Sequence, residues 1–362
     1  MENAKLGPFQ LFSLIVLFEI GTALMLPLGL DAKQDAWVAI LVGLVGGLLL
    51  YWIYYSLYLQ YPDLLLTSYI KKILGNYLGS ILALLYILFF IYGAARDLRD
   101  GMELLMISYT ETPMSVLGLL LMAILVYGVF LGIEVLGRAA EILLMFLLFM
   151  TALGILLVFL SGIAEMNKLL PILENGWKPV LTTVIGQTIM FPFGEMICFT
   201  MLLPYLNNRT TGLKLGLTAV SFSGITLAFI IALEISVLGV DITSNSIFPF
   251  LKVMQKINVG DIIQRPDSFV MVSLIVNDFF KIAIFFYAAL IGAADLFKVS
   301  KNKLVIPVGI VILITSILIA DNTSEHFAEG KFALKYIFTT FCFLIPLLLL
   351  IGNLFRHQIR RQ

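Results

Sequence analysis

The sequence predicts an all-α polytopic membrane protein of about ten spans, arranged as a five-plus-five inverted repeat with discontinuous helices one and six. Three observations carry this. Of 362 residues, 60% are hydrophobic and only 13% charged, and mean hydropathy is +1.03; a soluble domain carries about twice that charged fraction. The apolar residues fall in blocks of about 20, the length that crosses about 30 Å of hydrocarbon at roughly 1.5 Å per residue. Two of those blocks, five apart in order, hold proline and glycine near their middles.

Taken in order, the spans cover 9–30, 35–59, 78–108, 113–132, 136–161, 179–206, 213–239, 268–297, 304–320 and 332–354. The first, "MENAKLGPFQLFSLIVLF", has an acid beside its first lysine and no small-residue cleavage site, and reads as a retained span. The whole chain reads as one transmembrane domain, with repeat one near 9–161 and repeat two near 179–354. Lys and Arg near span ends set the orientation. An inner set of Lys5, Lys71, Lys72, Arg138, Arg209, Lys214, Lys298, Lys301, Lys303, Arg356, Arg360 and Arg361 predicts both termini cytoplasmic. The outer set is Lys33, Lys168, Lys178, Lys252, Lys256, Arg265 and Lys331. An outer loop over 241–267 places Phe250, Leu251, Met254 and Ile257 at helical spacing opposite Lys252, Gln255 and Lys256. That is an amphipathic helix, either a lid or a packing element.

Several function classes are disfavoured. Lys plus Arg and Asp plus Glu both number 23, so net charge says nothing about a partner, and no nucleic-acid partner is expected. Cys198 and Cys342 lie in apolar spans as packing residues. His326 falls in a connecting segment and His357 in the tail, so no metal or cofactor is expected. Neither a nucleophile–base set nor a phosphate loop argues for an enzyme.

The breaks are "EIGTALMLPLG" in span one and "GQTIMFPFGE" in span six. A helix-interior proline costs about 3 kcal/mol and a glycine about 1 kcal/mol. Within hydrocarbon, such a site survives only where the freed backbone groups face protein or a wet cavity. Inverted-repeat transporters put discontinuous helices at corresponding positions of their halves, with the ligand between them.

The corresponding spans three and eight carry charge. In "FFIYGAARDLRDGMELLM", Arg96, Arg99, Asp100 and Glu103 share a face, with Arg96–Asp100 and Arg99–Glu103 at i,i+4. Asp97 points away from Arg96 and has no partner at i+3 or i+4. In "LIVNDFFKIAIF", Asp278 and Lys281 are at i,i+3 and Asn277 also faces Lys281. Unpaired charges at mid-bilayer cost about 3 kcal/mol or more, so these side chains must turn inward. Arg99–Glu103 and Asp278–Lys281 read either as internal ion pairs or as functional groups. Glu19 and Glu195 have the same two readings, as functional acids or as caps on broken-helix amides. Glu134, Arg138 and Glu141 read as a terminal salt-bridge set, and Glu234 and Lys335 as snorkelling residues near span ends.

Four segments resemble one family: "FSLIVLFEIGTALMLPLG", "LLPILENGWKPVL", "FPFGEMICFTMLLPYL" and "FPFLKVMQKINVGDIIQRPDSFVM". Over nearly its whole length the chain resembles the spore germination permeases, the B subunits of germinant receptors and relatives of amino acid–polyamine–organocation transporters. The "PFGE" block is the more specific part, whereas the first-span pattern is shared with many permeases. The resemblance implies a sensor of a small nutrient, commonly an amino acid. It would lie in the spore's inner membrane, bounded by lipid, beside an A subunit and a lipoprotein C subunit. Gly21, Thr22, Ala23, Asp97, Phe191, Pro192, Gly194, Glu195 and Asn277 are then the candidate ligand contacts. Glu19, Arg96, Arg99, Asp100, Glu103, Asp278 and Lys281 are the candidate structural or coupling charges. A working amino-acid or polyamine symporter, with a proton or cation site at Asp97, Glu195 or Asp278, is the competing reading.

Overall fold

A computed structural model describes residues 4–259, 263–264 and 267–359. Arg265, Arg360 and Arg361 of the orientation argument lie outside the described residues, as do the side chains of Arg356 and His357.

Helix α1 (Pro8–Ile20) starts with proline at its first position, where no amide donor is needed, and Gln10 Oε1 accepts from Gly7 N–H at 2.9 Å. It stops at Gly21, and only a short 3-10 turn (Thr22–Leu24) follows before Gly29 adopts the left-handed region at φ 76°. A 3-10 segment (Leu30–Asp35) then leads into α2 (Ala36–Gln60). Next come α3 (Leu66–Leu74), α4 (Asn76–Met106), α5 (Met114–Leu131) and α6 (Ile133–Leu160).

The second half opens with α7 (Trp177–Thr183), which widens into π turns over Val184–Thr188. It breaks at Met190–Pro192 and resumes as a 3-10 helix (Phe193–Met201). It continues through α8 (Gly212–Leu238), the short helices α9 (Val240–Ser244) and α10 (Pro249–Gln255), and a small hairpin of β1 (Asn258–Val259) and β2 (Ile263–Gln264). Last come α11 (Asp267–Phe297), α12 (Lys301–Leu318), α13 (Thr323–Ala333), π turns over Leu334–Leu344 and α14 (Ile345–Ile359).

Among the described residues, nine helical segments are long and apolar enough to cross a membrane, and Pro8–Leu24 is a shorter tenth. The shortfall has a local cause, because the helix ends at the Gly21 break. The chain is a multi-pass membrane protein.

Helix α11 runs through the centre, with residues 282–291 buried, packed on α4 and on α1. Helices α5, α6 and α12 expose Leu119, Ile124, Ile142, Phe149, Ile306 and Leu318. Apolar faces of that extent suit lipid better than water. The expected helix in the outer loop is α10, whose Phe250, Leu251, Val253 and Met254 are buried against α8 and α11.

Three expectations need correcting. Span ten begins at Thr323, nine residues before the predicted 332, because a run of polar residues there is helical and buried in part. His326 therefore sits on a helix and not in a connecting segment. Glu234 does not snorkel: it is 1% exposed within α8.

Candidate functional site

The sixth-span break packs close on α2 because glycines there let it in. A methyl group on Gly43 would lie 2.3 Å from Thr188 Oγ1, and one on Gly47 would lie 2.4 Å from Phe193 Cβ. Thr188 Oγ1 donates to Ala39 O at 2.9 Å, fixing span six on α2. Gly29 N–H donates to Gln187 Oε1 at 3.1 Å, tying one break to the other. The carbonyls freed by the irregular turns are met by tyrosines. Tyr54 Oη–H points to Gly194 O at 2.9 Å and Cys342 O at 2.5 Å, while Tyr86 Oη–H donates to Phe341 O at 2.8 Å. This is how a broken backbone is accommodated away from water.

The centre of the site is the ammonium of Lys281, from α11, with no solvent exposure. Its Nζ stands 2.6 Å from Glu195 Oε2, donates to Thr22 Oγ1 at 2.8 Å, and lies 3.9 Å from Asp97 Oδ1. Thr22 Oγ1–H in turn donates to Asp97 Oδ1 at 3.0 Å. The Phe191 ring lies under the ammonium at 4.3 Å to its centroid, and the Phe18 ring at 5.6 Å. Spans one, three, six and eight thus meet on one cation. A lone buried ammonium loses several kcal/mol of hydration, and opposed carboxylates plus hydrogen bonds offset this.

Gly21 is required by the same lysine. A Cβ there would lie 2.7 Å from Lys281 Cδ, 2.9 Å from its Cβ and 2.9 Å from Phe18 O. Gly194 is less confined, with Cys342 Cβ, Ile189 O and Met190 Sδ each at 3.3 Å. Ala23 and Pro192 are buried in the two break segments.

The expected Asp278–Lys281 pair does not form among the described contacts. Lys281 passes over Gly21 toward Glu195, while Asp278 lies against Gly101 of α4 with Oδ1 unpartnered. Asn277 does not turn to Lys281 either, since its Nδ2 donates to Ser273 O at 2.9 Å within α11. Glu195 faces Lys281 and not the broken-helix amides. Glu19 is fully buried near Lys281 and Glu195, with neither carboxylate oxygen hydrogen-bonded.

A second cluster joins α4 to α13. Arg99 Nε binds Glu103 Oε1 at 2.9 Å within α4, and Nη1 donates to Ala320 O at 3.1 Å. The expected Arg96–Asp100 pair is replaced by contacts across to α13. Arg96 and Tyr92 both bind Glu329, and Asp100 Oδ1 is 2.9 Å from His326 Nε2. Spacing along one helix cannot reveal partners on another. Glu329 and His326 had no sequence signal beyond their polar setting.

Chemically, the centre is a closed cation niche bounded by carboxylates, a hydroxyl and an aromatic face. Two cavities of about 420 and 210 Å³ lie elsewhere, on α8 and between α6, α10 and α11.

The chain matches the family model described as spore germination protein over residues 5–324. It is 42% identical over 366 residues to spore germination protein KB of Bacillus subtilis (strain 168), covering 100% of this chain and 98% of that protein. Spore germination protein A2 of the same organism is 25% identical over 359 residues, covering 95% and 94%. Two solved transporter structures share the fold. Mhp1, a nucleobase-cation-symport-1 family transporter in a closed conformation with bromovinylhydantoin bound, has TM-score 0.67 at 16% identity, over 92% of this chain and 76% of that one. MhsT in complex with L-phenylalanine has TM-score 0.65 at 14% identity, over 96% and 97%. At such identities the likeness establishes architecture alone, the inverted-repeat fold with its paired discontinuous helices.

Proposed function

Because the chain belongs to the spore germination protein family, we propose that it is the B subunit of a nutrient germinant receptor. It binds a small nutrient, with an amino acid as the first expectation, where the two broken helices meet. The receptor lies in the spore's inner membrane with A and C subunits beside it, and both termini face the spore core. The observation that carries the ligand site is the meeting of Thr22, Asp97, Glu195 and Lys281 at both breaks. A carboxylate suits the freed amides of a half-helix start, and an ammonium suits the acids.

Binding acts by favouring one conformation over another, which requires only a differential affinity of a few kcal/mol. The second reading, a proton-coupled carrier, draws on the buried acids and on the transporter architecture of the fold. Glu195→Gln separates the two. In a sensor it shifts the ligand concentration for half-maximal germination, and the plateau is recovered at high ligand. A flat dose–response in spores that hold normal protein levels and still bind ligand would reverse the ranking in favour of a carrier.

A further inference from the structure

The Lys281 ammonium is held on every side. Thr22 Oγ1 is at 2.8 Å, Glu195 Oε2 at 2.6 Å, Asp97 Oδ1 at 3.9 Å and the Phe191 centroid at 4.3 Å. An ammonium carries three donors and is attracted to aromatic faces, so these four groups complete a site for any R–NH₃⁺. None of the four comes from α11, which supplies the cation. Thr22 belongs to the first break, Phe191 and Glu195 to the sixth span, and Asp97 to α4. The side chain reaches this site only because position 21 has no Cβ. Acid also exceeds base here: Glu19, fully buried, has both oxygens unpartnered, and Asp97 Oδ2 and Asp278 Oδ1 are likewise unpartnered.

We infer that the four groups form a binding niche for a primary ammonium, and that Lys281 is a tethered occupant which a ligand's own ammonium replaces. The displaced lysine has an acceptor within reach, Asp278, one turn back on α11, whose free oxygen it can take. The exchange releases α11 from both broken helices, which converts binding into a change of packing. The identity of the ligand rests on the receptor reading above; the niche itself does not.

The test is chemical rescue of the purified full chain. Lys281→Ala removes four heavy atoms, and n-propylammonium restores them with the charge, while 1-propanol restores the volume without it. The expected result is a thermal midpoint raised by about 2 °C with propylammonium at roughly tenfold excess over its dissociation constant. Propanol has no such effect, and in wild type the tethered lysine competes for the niche, so the same shift requires a higher propylammonium concentration; a wild type that responds to no concentration of propylammonium overturns the displacement. Should Lys281→Ala fail to accumulate, Lys281→Ala with Glu195→Gln, one carboxylate fewer, is used and gives the same selectivity with a smaller shift. Equal shifts with amine and alcohol, or no shift with either, overturn the inference. Failure of both variants to accumulate even with propylammonium in the medium overturns it too. The readout needs no nutrient and no partner subunit. A selective shift alongside unaltered germination by the variant would therefore unseat the receptor reading and leave the niche standing.

Discussion

Gly21 is where the least perturbation reaches the centre. Gly21→Ala sets a methyl group 2.7 Å from Lys281 Cδ and 2.9 Å from the Phe18 carbonyl, and the backbone contact cannot move aside as a flexible stem can. Overpacking of this kind costs about 1–3 kcal/mol. The expected outcome is protein that still accumulates but has lost its nutrient response; a normal concentration response would separate Gly21 from the site. Asp97→Asn is gentler. It keeps an acceptor for Thr22 and leaves Lys281 its 2.6 Å contact with Glu195. Immunoblots should show near wild-type abundance while the dose–response moves, and an unmoved curve would remove Asp97 from the machinery. Asp97 and Glu195 were legible in the sequence because neither finds a partner within its own helix. Lys281 was misread because helical spacing offered Asp278, while its actual partners lie 259 and 86 positions away, at Thr22 and Glu195. The permissive glycine was seen, but the lysine stem that passes over it was not.

At the scale of elements, α13 is the segment that sequence windows miss. Its polar run scores as a loop, yet Asn322 accepts from Glu325 N–H at 3.0 Å to start a helix. Its His326 and Glu329 are then met by Asp100, Arg96 and Tyr92 of α4. Amphipathic α3 was missed for a different reason. Leu66, Tyr69, Ile70 and Ile73 recur at helical spacing, but nine residues are too few to cross a membrane. The α4–α13 contacts predict a coupling that unfolding can measure. Arg96 and Glu329 side chains are 15% and 26% exposed, so solvent screens them in part and the pair sits at the low end of buried pairs. A double-mutant cycle of Arg96→Met with Glu329→Gln should give a coupling of about 0.5–2 kcal/mol. Strict additivity would show that the Arg96–Glu329 pair does not hold α13 to α4.

For the molecule as a whole, composition and the two breaks were enough to indicate the inverted-repeat architecture, since proline and glycine at mid-membrane have few physical solutions. Tertiary closure was not legible: Thr22, Asp97, Glu195 and Lys281 are each at most 5% exposed, so the centre is closed to solvent. Closure bears on whether the chain senses or carries. A carrier must open the centre to each side in turn, and one that accumulates its substrate must also release a coupling ion and return empty. A sensor need only trade one closed packing for another. Moving a two-state equilibrium from 1:99 to 99:1 takes about 10⁴-fold differential affinity, roughly 5.5 kcal/mol. That is within the range of a few hydrogen bonds to charged groups at about 1.5–3 kcal/mol each. With Lys281 built in as the cation, such a switch needs no ion gradient. Counterflow of labelled amino acids in proteoliposomes holding the purified chain should therefore show saturable binding and no gradient-driven accumulation. Accumulation above equilibrium under an imposed pH or sodium gradient, abolished by Glu195→Gln, would instead mean that transport is the primary activity and that signalling depends on turnover.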